Sequence, residues 1–63
     1  MNSLAPVLRF GDLYLLTALI ERIQFLDATT VEIRTRTDAH IVRGTAAAEL
    51  RTYLESRSQA FTV

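Results

Sequence analysis

No cysteine occurs in the chain, so no disulfide can brace it. His40 is the only histidine, and without thiolates a structural zinc site has no ligand set. Lysine is also absent: all seven basic residues are arginine, balanced by seven Asp and Glu to a net charge of zero. A neutral chain has no general electrostatic pull on nucleic acid or anionic membrane. The exclusive use of arginine suits planar contacts with carboxylate or phosphate, but compositional bias of the source genome is the better explanation. No stretch approaches the roughly 18 to 20 apolar residues of a membrane span. The first residues lack a basic region followed by an apolar run, so no signal peptide is visible, and a cytoplasmic location with no membrane partner is expected.

Length sets the next bound. Sixty-three residues allow one small domain, expected to span 1–63 with 1–5 and 58–63 as flexible ends. A chain this short buries only about 60% of the surface its unfolded form exposes. Disulfide and metal are excluded as braces, which leaves association or exceptional packing. The apolar share, 49%, exceeds what so small an interior can hold, and a homo-oligomer, most simply a homodimer, is the expected outlet.

What is present is period-two alternation from Glu21 to Gly44, the signature of half-buried strands. Ile23, Phe25, Val31, Ile33 and Val42 fall on one face. Core faces must meet, so Phe25 belongs opposite Val31 and Ile23 opposite Ile33, which requires an odd loop such as Asp27-Ala28-Thr29. A second turn is expected at Asp38-Ala39, which would set Arg34 beside Arg43 and leave His40 at the turn. Gly44 frees the backbone to leave the sheet.

Upstream, Gly11-Asp12 separates Val7–Phe10 from Leu13–Leu16 and suits a two-residue type II′ hairpin turn. That register pairs Phe10 with Leu13, Arg9 with Tyr14, Leu8 with Leu15 and Val7 with Leu16. One face holds Leu8, Phe10, Leu13 and Leu15; the other holds Val7, Arg9, Tyr14 and Leu16, so cover on both sides is expected. Residues 12–26 also fit helical spacing through Leu13, Leu16, Leu19, Ile20 and Ile23. The strand reading, with a kink or bulge near Thr17 to Leu19, agrees better with the glycine turn.

Downstream, Thr45 is a candidate N-cap for a helix from Ala46 to about Arg57. Ala46, Ala47, Leu50, Tyr53 and Leu54 form its apolar stripe, Glu49 sits in the positive first turn, and Thr52 faces out. The tail is expected to fray, the alternative being that Phe61 and Val63 join a neighbouring subunit or sheet edge. The expected fold is α+β: a small antiparallel β-meander of about four strands with one C-terminal α-helix packed on one face.

No catalytic or ligand-binding motif stands in this pattern. His40 lacks a partnered nucleophile, the carboxylates are scattered, and so small a chain cannot wall off a cleft. A non-enzymatic protein without cofactor or metal is expected. Two surfaces stand out. Arg22, Arg34, Arg36 and Arg43 fall on the outer sheet face, where like charges side by side invite an anion or nucleic acid. That face carries no aromatic platform for stacking bases, which disfavours single-strand readers. Val7, Tyr14, Leu16, Leu19 and Ile20 are apolar residues the sheet cannot bury alone, and they mark a subunit interface or a protein partner's site. Self-association is the first expectation and nucleic-acid binding the second.

Overall fold

The computed structural model describes residues 4–61. Five strands and one helix follow in chain order: β1 (Val7–Phe10), β2 (Leu13–Leu16), a 3-10 turn (Thr17–Leu19), β3 (Ile20–Asp27), β4 (Thr30–Thr35), β5 (Ala39–Arg43) and α1 (Thr45–Glu55). The fold is a small α+β arrangement. Its strands form two antiparallel sheets, β1-β2 and β3-β4-β5, rather than one meander of about four.

The first hairpin has the register that its glycine turn dictates, from Val7 opposite Leu16 to Phe10 opposite Leu13. Gly11 has φ 61° and Asp12, like every other described non-glycine residue, does not have positive φ, which is the type II′ pattern. Thr17 closes the open end: its N–H donates to the Pro6 carbonyl at 3.0 Å, and its hydroxyl donates to the carbonyls of Ala5 and Pro6. The chain then turns through one 3-10 step, with the Ile20 N–H donating to Thr17 O. This break, together with a register shift between Ile20 and Arg22, is the kink expected near Thr17. It splits the strands into two sheets.

Between β3 and β4 the pairs are Ile23–Ile33 and Phe25–Val31, as the parity argument requires. The odd residue is supplied differently from expectation. Asp27 pairs directly with Thr30, leaving Ala28-Thr29 as a two-residue turn, and a register shift between Phe25 and Asp27 pushes Leu26 out as a bulge. The Asp27 carboxylate accepts the Thr29 N–H at 2.8 Å and so closes the turn.

The β4–β5 register corrects the expected turn at Asp38-Ala39. Thr35 N–H donates to Asp38 O at 2.8 Å, and Asp38 N–H donates to Thr35 Oγ1 at 3.2 Å. The reversal therefore falls at Arg36-Thr37, two residues earlier. Val42 pairs with Val31, and His40 pairs with Ile33, so His40 lies half-buried within β5 and not at a turn. Both turns keep the same residues facing inward, so alternation cannot choose between them.

Gly44, at φ 79°, leaves the sheet and serves as the N-cap of α1; its carbonyl accepts the N–H groups of Ala47 and Ala48. Thr45 is therefore the first helical residue and caps nothing with its side chain, and Glu49 falls beyond the first turn. The helix buries Ala47 and Leu50 and half-buries Ala46, Tyr53 and Leu54, the stripe its spacing implies. Past its end, Arg57 donates to the Tyr53 carbonyl and lies 4.0 Å from the centre of the Tyr53 ring.

One core joins the three pieces. Leu8 and Leu15 from the hairpin, Val31, Ile33 and Val42 from the larger sheet, and Ala47 and Leu50 from the helix are buried together. Phe10, Leu13, Ile20, Ile23 and Phe25 pack half-buried around them. Ahead of β1, the Ala5 N–H donates to the Tyr53 hydroxyl at 2.7 Å. Residues 58–60 carry no regular structure and Phe61 is 77% exposed; the expectation for Val63 lies outside the described residues.

Candidate functional site

Pleating sends Arg22 and Gln24 of β3, Glu32 and Arg34 of β4, and Ala39, Ile41 and Arg43 of β5 to the face away from the helix. Arg22 stands directly opposite Arg34. Glu32 lies between them: its Oε1 accepts from Arg22 Nη2 at 3.5 Å, and its Oε2 accepts from Arg34 Nη2 at 3.4 Å. The carboxylate that would repel an incoming anion is thus already in place. Its side chain is one-fifth exposed, whereas both arginines are about half exposed.

The other two predicted arginines do not join this group. Arg36 sits in the turn after β4, and Arg43 pairs with Thr30, four residues along β4 from Arg34. The shift of the turn from Asp38-Ala39 to Arg36-Thr37 causes both displacements. Arg22 and Arg34 are brought together; Arg36 and Arg43 are not.

The apolar candidates are placed differently. Val7 and Leu16 are a cross-strand pair on the outer face of the first hairpin, 42% and 52% exposed, and Tyr14 beside them is 62% exposed. Arg9 lies across the Tyr14 ring at 5.5 Å and donates its Nε–H to Gly11 O at 2.8 Å. Leu19, in the 3-10 turn, is 57% exposed. Ile20 is half-buried against the core. Among the described residues nothing covers the outer hairpin face that the sequence leads one to expect covered.

Sequence reasoning leaves out Ile41. It is 44% exposed on the outer face of β5 and pairs with Glu32. The signal was present, because alternation about the core residue Val42 sends Ile41 outward.

A groove between hairpin and helix is lined by Leu8, Phe10, Leu50 and Tyr53, with Arg9 and Glu49 at its polar edge. The Tyr53 hydroxyl is engaged by Ala5 and the Arg9 Nε–H by Gly11, so few polar groups converge there. Among the described residues no group of three or more His, Asp or Glu is placed to hold a metal. Among them, too, no helix is long and apolar enough to cross a membrane. Asp27 stands at the end of β3, beside the turn at Ala28-Thr29. Its carboxyl is held below the ordinary aspartate value, first by the Thr29 main-chain N–H and then by the Thr30 hydroxyl.

No family model, curated protein or solved structure matches the chain.

Proposed function

We propose that this chain is a small, non-enzymatic protein-interaction module that self-associates and acts as an accessory or regulatory subunit. The observation that carries the reading is the outer face of the first hairpin, where Val7, Tyr14 and Leu16, with Leu19 adjoining, stand exposed on an ordered sheet surface. Ordered apolar side chains grouped on a regular element are what protein interfaces are made from. A domain of 63 residues, with no disulfide and seven buried core residues among those described, also gains much from a partner's surface. Absence of cysteine goes with a reducing compartment, since small secreted domains generally rely on disulfides, and supports placing the protein in the cytoplasm.

The alternative is a nucleic-acid-binding regulator that uses the outer arginines. It has less support, because Glu32 occupies the position between Arg22 and Arg34 where a phosphate would sit. Sedimentation at micromolar concentration tests the first reading. The native chain should sediment as an oligomer, and Leu16→Glu should lower its mass while leaving its circular dichroism intact. A native chain that sediments as a folded monomer up to ~100 μM removes the proposal.

A further inference from the structure

The two ends of the three-stranded sheet are built differently. On the β3 side, register shifts interrupt the strand near both ends, and Glu21, Arg22 and the bulged Leu26 crowd the edge. Bulges and charges are how sheets keep foreign strands off an edge. β5 has no bulge and carries one charge, Arg43 at its end: all five of its residues, Ala39 to Arg43, stay in regular pairing with β4.

Hydrogen bonds at its ends tell which way its main chain points. Thr35 N–H donates to Asp38 O, and Gly44 N–H donates to Thr29 O. In an antiparallel ladder, bonded pairs recur at every second residue. Pairs 33–40 and 31–42 fall on that rhythm, so His40 and Val42 turn their main-chain groups to β4. Ala39, Ile41 and Arg43 turn theirs to the open side, where among the described residues no main-chain hydrogen bond from a turn, loop or cap reaches them.

We propose that this edge is a second self-association contact, in which β5 of one copy pairs antiparallel with β5 of another about a two-fold axis at Ile41, making a six-stranded sheet. The strand is self-complementary in this register. Ile41 faces Ile41 of the second copy, and Ala39 faces Arg43 in both directions, so the two arginines do not meet. Each of these three pairs exchanges two main-chain hydrogen bonds, using every outward group of the strand. On the outer face, the exposed Ile41 side chains cover one another, flanked on either side by the closed Arg22–Glu32–Arg34 group. A second copy is the favoured occupant because the register that saturates the edge also separates its only charge from its own image. This contact is independent of the outer hairpin face. Two such two-fold contacts on one chain close into a four-chain assembly or run on as a filament.

The experiment compares the native chain, Leu16→Glu, Ile41→Lys and the double variant by sedimentation, with circular dichroism to confirm folding. Lysine at position 41 lies beside Glu32 in its own sheet but opposite a second lysine across the axis, so the fold is kept and the contact is lost. The native chain should exceed a dimer, each single variant should stop at a dimer, and the double variant should be monomeric. If Leu16→Glu alone yields monomer, the β5 contact is refuted and the hairpin reading stands. If Ile41→Lys alone yields monomer, the hairpin reading falls and the β5 contact stands. A monomeric native chain removes both. A covalent probe gives a second measure on this cysteine-free chain. Residues opposite one another in a bonded antiparallel pair have Cα atoms about 5.5 Å apart, within disulfide range. Ile41→Cys should therefore oxidise to a covalent dimer at least tenfold faster than Leu26→Cys on the opposite edge. Equal rates would overturn the proposal.

Discussion

Ile33→Ala is the sharpest test of the core. Ile33 and Val31 are the largest side chains with no exposure at all, and both belong to the central strand. Ile33 has Ile23 on one side and His40 on the other, with the helix across it. Truncation removes three carbon atoms from a site that neighbours on all sides fix in place, so the cavity cannot collapse freely. The loss should be about 2 to 5 kcal/mol, the range for a buried aliphatic cut to alanine. Total stability for a domain of this size is roughly 3 to 9 kcal/mol at 0.05 to 0.15 kcal/mol per residue. The variant should therefore lose about a fifth or more of its urea midpoint, or fail to fold. Thr52→Ala is the control: Thr52 is exposed on the helix, and its hydroxyl contributes one bond to the Ala48 carbonyl at 3.3 Å. It should shift stability by less than about 0.5 kcal/mol. Urea melts followed by circular dichroism compare the two, at matched protein concentration because assembly adds to apparent stability. Equal midpoints would refute the assignment of inside and outside on which every other argument rests.

Two further outcomes follow from the surface. Glu32→Ala leaves Arg22 and Arg34 opposite each other without their shared carboxylate; stability should fall by up to about 1 kcal/mol at low salt and recover as salt screens the pair. Salt-independent melting of that variant would show that the contacts at 3.4 and 3.5 Å contribute nothing. For Asp27, the folded carboxyl titrates below its unfolded value, so its contribution is complete above the ordinary aspartate value and drains as pH falls through the folded one. The side-chain carbon of Asp27, followed by NMR, should titrate below pH 3.8, and Asp27→Asn should remove that part of the acid dependence. A midpoint at or above 3.8 would break the link to the Thr29 N–H.

How much of this was legible depended on what each turn is made of. Gly11-Asp12 could be read fully, because a glycine that must take positive φ fixes both loop length and register. Pairing of Phe25 with Val31 was legible from core parity, but its means was not, since a three-residue loop and a bulge at Leu26 satisfy parity equally. Turns at Asp38-Ala39 and at Arg36-Thr37 bury the same side chains. The hydrogen bonds between Thr35 and Asp38 decide between them, and no alternation records those bonds. That same slip of two residues takes Arg43 away from Arg34 and His40 into the strand, so alternation groups four arginines where the register brings only Arg22 and Arg34 together. The helix face was legible because Ala47, Leu50 and Leu54 recur at helical spacing, whereas its start was obscured by a threonine placed just after the glycine that caps it.

In both sheets every strand pairs only with the strand next to it in the chain, through connections of two or three residues. Chain entropy is then surrendered in small local steps, since closing a short loop costs far less than bringing distant segments together. Such wiring favours rapid folding. The distant steps left over are the docking of Leu8 and Leu15 and the laying down of Ala47 and Leu50 onto Val31, Ile33 and Val42. The barrier to folding therefore belongs to the joining of three quickly made pieces.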